Sequence, residues 1–178
     1  VLRTRRKYKK LRAQLQAKGT KSAKRRLKKI GQRENRFISD VNHRLTKTLV
    51  NHYGPNTIFA LEDLTNVRFA TEKAAKKRRY EMVSWTFYQF EQFLAYKANL
   101  NSSTVVKVSP RFTSQRCPKC GRIRKENRNH ELHLYICDEC GYKSNDDRLA
   151  AMNIQFLGDQ YYQGVKRPKF TKISKLGR

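Results

Sequence analysis

Acidic side chains are scarce in this chain: 14 Asp and Glu stand against 41 Lys and Arg among 178 residues, a formal net charge of +27. A soluble chain so far from neutrality repels itself, so the imbalance points to a polyanionic partner. Long apolar runs are missing too. The longest span four or five residues, against the roughly 20 needed to cross a bilayer, so no transmembrane segment or lipid anchor is expected and nucleic acid is preferred over a membrane surface. The basic start Val1-Leu2-Arg3-Thr4-Arg5-Arg6 has no apolar stretch behind it to act as a signal peptide. No internal repeat is visible apart from two similar cysteine-bearing turns.

Cysteine is limited to four residues, arranged as two Cys-x-x-Cys pairs, Cys117/Cys120 and Cys137/Cys140, with sixteen residues between them. That spacing is a zinc signature, because each turn presents two thiolates at tetrahedral separation. Gly121 and Gly141 end the two pairs and permit the tight turn that aims backbone amides at the sulfurs. Two disulfides in a secreted protein are the alternative. Without a signal peptide a reducing cytosol is the expected compartment. Four thiolates would leave no open position on the metal, so the zinc is expected to be structural.

The positive charge is concentrated at the start. Residues 1–50 hold eighteen Lys or Arg and, as acids, only Glu34 and Asp40, too few for a salt-bridged helix surface. Residues 1–17 read as a helix, Gly19-Thr20 breaks it, and a second helix is expected from Ser22 to about His52 with an apolar stripe of Leu27, Ile30, Phe37, Val41, Leu45 and Leu49. The result is a long basic helical hairpin. After Gly54-Pro55-Asn56, the run Thr57-Ile58-Phe59-Ala60-Leu61 reads as a strand buried on both faces, ending in Glu62-Asp63. A carboxylate there would stand at the carboxyl edge of a sheet, where open α/β folds place ligands.

A basic stretch from Arg68 to Arg79 precedes an aromatic helix over Tyr80–Leu100, whose Trp85, Tyr88, Phe93 and Tyr96 are expected to pack onto the sheet, base stacking being the sharper alternative. Thr104–Val108 reads as a second strand closed by Pro110. Beyond the cysteines, Asn145 or Asp146 can cap a helix with Asp147 in its first turn and Leu149, Met152 and Phe156 facing inward. Gly164 to Arg178 reads as a basic tail.

Four blocks together carry a resemblance: Phe59-Ala60-Leu61-Glu62-Asp63-Leu64; Ser109-Pro110-Arg111-Phe112-Thr113-Ser114-Gln115-Arg116-Cys117-Pro118-Lys119-Cys120-Gly121; Cys137 to Gly141; and Asn145-Asp146-Asp147 with Ala150-Ala151-Met152-Asn153-Ile154. In order and spacing the chain resembles the carboxyl-terminal half of TnpB, the transposon-encoded RNA-guided DNA endonuclease often termed a transposase and related to the type V CRISPR effectors. The resemblance implies an α/β chain: a partial RNase H-like (RuvC) fold with a long basic helical hairpin and an inserted zinc ribbon. It divides the chain into the hairpin (1–53), a RuvC-like core (54–116), the target nucleic-acid-binding ribbon (117–141), and a last helix with a basic tail (142–178).

The resemblance further implies Glu62 and Asp147 as the second and third acidic motifs, carboxylates holding catalytic Mg²⁺ beside the structural Zn²⁺ on the cysteines. Guide RNA and target DNA are the implied partners. Their phosphates would be met by Arg5, Arg6, Lys24, Arg25, Arg26, Lys28 and Lys29 of the hairpin, by Lys77 and Arg78, and by Arg111, Thr113 and Gln115. On the residues alone, Asp147 can equally favour a helix dipole, and Glu62 can equally be a strand-end salt bridge.

Three departures qualify the match. The family's opening acidic motif, an aspartate in a Gly-Ile-Asp-Leu-Gly-like strand, does not occur in these residues; Leu149 and Ser109 stand where the family has Asn and Asp; and residue 1 is Val. Cleavage by this chain is therefore expected only if the first aspartate comes from elsewhere. An uncovered strand edge beside Glu62 would require the amino-terminal half, a second copy or a partner protein. A non-catalytic nucleic-acid-binding module on the same scaffold accounts equally for the charge and the cysteines. A ribosomal-type ribbon leaves Glu62 and Asp147 unexplained.

Overall fold

A computed structural model describes residues 1–65 and 87–171. Two compact units divide them, one built from residues 1–57 and 87–103 and the other from 58–65 and 104–171. The expectations for Trp85, for the basic stretch at 68–79 and for the start of the aromatic helix lie outside the described residues.

The first unit is helical. α1 (Leu2–Lys18) turns at Gly19, and Thr20 caps α2 (Lys21–Tyr53) by accepting the Ala23 amide at 3.2 Å. The hairpin closes on Leu15, Ala23 and Ile30, flanked by Tyr8, Leu11 and Leu27. The buried face of α2 differs from the expected stripe. It runs through Ala23, Ile30, Glu34, Ile38, Asn42, Thr46 and Val50, while Leu45 is 51% exposed. From Ile30 onward the buried positions recur every fourth residue, and three of them are polar because each meets a dedicated partner. Arg12 donates to Glu34, with Arg5 3.8 Å away; Asn42 donates to Gln89 at 2.9 Å; Thr46 donates to the Asn42 carbonyl at 2.7 Å and accepts from Lys97 at 2.7 Å. Gln89 and Lys97 belong to α3 (Phe87–Leu100), which packs on α2. Of the aromatics expected against the sheet, Phe93 stacks on His43 of α2 at 3.8 Å, Tyr96 meets Phe93 edge-on, and Tyr88 is exposed.

The second unit has a parallel pair, β1 (Ile58–Glu62) and β2 (Thr104–Val108), in register from Ile58 opposite Thr104 to Glu62 opposite Val108. β1 is only half-buried, contrary to the expectation of a strand covered on both faces: Ile58 is exposed and the rest are intermediate. β2 is its one strand neighbour among the described residues, which leaves its apolar side chains partly open. α4 (Asp146–Tyr162) packs on both strands. Its inward face is Leu149, Asn153 and Leu157 rather than Leu149, Met152 and Phe156; Met152 accepts from the Tyr142 hydroxyl, and Phe156 lies under Arg116 and against Phe170. Leu157 joins Val108 and Phe170 in a core flanked by Phe112, Ile123 and Ile154. Gly158 lets the helix approach β1 so closely that a Cβ there would fall 2.7 Å from Cβ of Ala60.

Between β2 and α4 lie the cysteine turns and a small antiparallel sheet, β3 (Arg128–Asn129), β4 (Leu134–Ile136) and β5 (Lys143–Asn145), in the order β3-β4-β5. No helix among the described residues is long and apolar enough to cross a membrane.

Candidate metal and carboxylate sites

The two cysteine turns are built alike. In each, the first cysteine's amide donates to the carbonyl five residues on, Cys117 to Arg122 at 2.8 Å and Cys137 to Tyr142 at 2.9 Å, and the glycine amide returns to the first cysteine's carbonyl at 3.0 Å. Gly121 and Gly141 close these loops with φ of 77° and 66°, a region that costs a side chain strain. Amides of Lys119 and Cys120 meet the Cys117 sulfur, and those of Glu139 and Cys140 meet Cys137. Burial works against the ionisation of Cys137, yet these amides and the neighbouring thiols outweigh it and bring the group down to about 7; burial pushes Cys120 up to about 12.

All four sulfurs lie within 4.8 Å of one another, and the close pairs join one turn to the other, Cys117 to Cys140 at 3.6 Å and Cys120 to Cys137 at 3.5 Å. A disulfide would need sulfurs at about 2.05 Å. Tetrahedral zinc with Zn–S of about 2.3 Å sets its ligands about 3.8 Å apart, so this set is compatible with zinc and all four cysteines are unbridged. Behind it, Tyr135 is fully buried beside Cys117, Cys137 and Leu149 of α4, and its hydroxyl donates to the Gln115 carbonyl at 3.4 Å. Asp138 gathers Arg122, Arg124 and Asn127, and the bidentate Arg122 contact, at 3.0 Å from both Nε and Nη2, holds its carboxyl well below the usual carboxylate range.

Glu62 ends β1, and its Oε1 accepts the hydroxyl of Thr113 at 2.6 Å. Thr113 is buried, and its carbonyl accepts from Nδ2 of Asn153 at 2.8 Å; the same nitrogen donates to the Arg116 carbonyl at 2.8 Å, and Arg116 Nη1 returns to Oδ1 of Asn153 at 3.3 Å. Asn153 thus fastens α4 to the segment that holds Glu62. Asp147 lies six residues earlier on α4, about 9 Å along its axis. Asn145 caps that helix, accepting the amides of Asp147 and Arg148 at 3.0 and 3.1 Å.

Asp147 projects outward, its side chain 78% exposed, while Asp146 is fully buried and accepts from Arg128 Nε at 2.7 Å. Burial would raise the Asp146 carboxyl, but Arg128 and then His133 outweigh it and lower the group. His133, Asp146 and Asp147 bring ligand atoms within 4.8 Å of one another; Glu62 joins no such group of three among the described residues.

The candidate nucleic-acid residues are dispersed. Arg25, Arg26 and Lys29 line one groove of the hairpin, Arg6, Lys24 and Lys28 are exposed, and Arg5 turns inward to Glu34. Arg111 is exposed over the Phe112 ring, Gln115 is half-buried and Thr113 is buried against Glu62; Lys77 and Arg78 lie outside the described residues. Sequence reading gave no role to Asn153 or Arg128. The signal for Asn153 was its place four residues beyond Leu149 and four before Leu157, on one face of the helix.

Residues 87–154 match the family model "Cas12f1-like, TNB domain". The chain is 35% identical over 144 residues to the CRISPR-associated endodeoxyribonuclease Cas12f1 of Sulfoacidibacillus thermotolerans, spanning 78% of this chain and 32% of that protein. It is 32% identical over 129 residues to a TnpB-like protein of Methanocaldococcus jannaschii, 72% of this chain and 45% of the relative. The chain therefore spans less than half the length of these relatives. Its fold resembles Cas12f in a ternary complex, with a TM-score of 0.60 at 19% identity over 97% of this chain and 34% of that one, and Cas12f1 in a complex with sgRNA and target DNA, with a TM-score of 0.55 at 20% identity over 80% and 40%. The motif spacing, the four-cysteine cluster, the sequence relatives and the fold agree: this chain is a member of the TnpB/Cas12f family.

Proposed function

We propose that the chain is the carboxyl-terminal nuclease portion of an RNA-guided DNA endonuclease, a partial RNase H-like (RuvC) fold with its basic hairpin at 1–53, core at 54–116, zinc ribbon at 117–141 and last helix with basic tail at 142–178. Guide RNA and target DNA are its partners, and the prokaryotic cytoplasm is its compartment. The observation that carries this reading is the tie from Glu62 through Thr113 and Asn153 to the helix that bears Asp147 in its first turn. A binder gains nothing from a carboxylate held by a buried threonine in a chain otherwise rich in phosphate-attracting cations.

The donor chemistry fits. Glu62 and Asp147 offer hard oxygen ligands suited to Mg²⁺, and Thr113 engages only Oε1 of Glu62 in its bond, so Oε2 can face a cation. Bound magnesium would supply an activated water and a counter-charge for the leaving oxygen of a phosphodiester. Thr113 would fix the Glu62 rotamer, and the Asn145 cap would fix the turn bearing Asp147. The cysteines would hold structural zinc, and Leu149 beside Cys117 and Cys137 would transmit its order to that turn.

Cleavage of guide-matched DNA in Mg²⁺, with and without Asp147→Ala, tests the proposal. Cleavage lost in the variant supports it and implies that a third carboxylate completes the site. Absence of cleavage, together with unchanged RNA affinity in a Glu62→Gln/Asp147→Asn chain, would favour the non-catalytic module instead.

A further inference from the structure

A groove of about 740 Å³ runs between α1 and α2. Its lining carries cations from both helices, Lys7 on α1 and Arg25, Arg26, Lys29 and Arg33 on α2, and no acid among the described residues lines it. On α2 the four-residue spacing of Arg25, Lys29 and Arg33 puts one cation on each turn, about 6 Å apart along the axis. Between the rims the wall holds Tyr8 and Leu11, partly buried against the hairpin core, and the buried Ile30, with Thr4 and Ser22 beside them. The hairpin's buried acid, Glu34, is paired with Arg12, so it does not neutralise these rims.

We propose that this groove seats a single nucleic-acid strand, with its phosphates on the rims and one exposed base against Tyr8. Such a groove suits a strand better than a duplex. A duplex shows a flat protein surface its phosphates and sugars, which reward the cations but not an apolar floor. An unpaired strand also offers base faces, and an aromatic side chain beside a cationic track is how proteins hold them without reading sequence. The inference rests on the reading of the chain as nucleic-acid-binding but not on cleavage. Arg33 and Lys7 thereby gain a role that the sequence did not suggest, while Lys24 and Lys28, which do not line the groove, lose theirs.

Binding by the 178-residue chain is measured by fluorescence anisotropy without added Mg²⁺, on a labelled RNA of about 20 nucleotides, its DNA equivalent, and the corresponding duplexes. Two triple variants carry the same charge change on the same helix: Arg25→Gln/Lys29→Gln/Arg33→Gln in the groove and Lys21→Gln/Lys24→Gln/Lys28→Gln outside it. The groove variant should lose about tenfold or more for the single strand and lower the salt slope by about 2, near 0.7 for each cation removed. The control should lose less than about threefold. Tyr8→Leu, which keeps the packing, should weaken the strand by about fivefold and leave the duplex unchanged. Equal losses in the two triple variants would overturn the proposal, as would duplex binding as tight as strand binding. Far-UV circular dichroism confirms that the compared variants retain the hairpin. A chain that binds strands in this groove yet never cuts would sink the nuclease reading alone; one that cuts but loses nothing in the groove variants would sink this inference alone.

Discussion

Nδ2 of Asn153 donates to the carbonyl of Thr113 at 2.8 Å, joining α4 to the residue that holds Glu62. Both partners are buried, so the bond cannot be replaced by water without opening the packing. Asn153→Ala leaves the carbonyls of Thr113 and Arg116 without their donor, and a loss of about 2–3 kcal/mol is expected in denaturant unfolding. A loss below about 0.5 kcal/mol would show that α4 is fastened by its leucines.

Thr113→Val keeps the shape of the side chain and removes the donor to Glu62, whereas Thr113→Ser keeps the donor. Mn²⁺ affinity followed by electron paramagnetic resonance should fall severalfold in the valine variant and recover in the serine variant. Equal affinities in all three proteins would separate Thr113 from any cation site at Glu62.

Gly158→Ala opposes two effects. Helix propensity favours alanine by about 1 kcal/mol, but its Cβ would stand 2.7 Å from that of Ala60, and forcing the helix off the strand costs about 1–3 kcal/mol. Net destabilisation is expected, with partial recovery in Gly158→Ala/Ala60→Gly. A rise in Tm for the single variant would mean that β1 moves freely away.

Glu34→Gln removes the charge between Arg12 and Arg5 while preserving shape. Breaking a fully buried pair costs about 3–5 kcal/mol; Arg12 is 27% exposed, so about 2 kcal/mol is the better expectation here. The loss should appear in unfolding followed by helical circular dichroism. A neutral result would assign the hairpin's stability to its apolar cluster alone.

One zinc per chain is expected by elemental analysis, falling to none or to weak binding in Cys120→Ser. Chelation should speed hydrogen exchange at residues 143–150 as well as in the cysteine turns, because Leu149 packs on Cys117 and Cys137. Exchange confined to the turns would make the metal site an independent appendage.

Features written in adjacent residues were legible in the sequence. The hairpin ends, the strand Thr104–Val108, the Asn145 cap and the gathering of four cysteines each depend on spacing or on a cap within a few positions. What escaped was the burial of polar side chains. Glu34, Asn42, Thr113 and Asn153 are inside because partners 22, 47, 51 and 40 residues away complete them, and no local pattern announces such pairings. The same cause misdirected the inward faces of α2 and α4, where an apolar stripe was expected and Glu34, Asn42, Thr46 and Asn153 take buried positions beside it.

The polar interior of α2 also limits where its neighbours can sit. Apolar side chains tolerate a helix that slips by one turn, about 5.4 Å, because one leucine substitutes for another. Glu34, Asn42 and Thr46 do not, since each slip would strand a charge or a donor in the core. These three residues index α2 against α1 and α3, so the helical unit has one alignment in which Glu34, Asn42 and Thr46 all keep their partners, and a nucleic-acid strand laid along it would meet its cations in a fixed order.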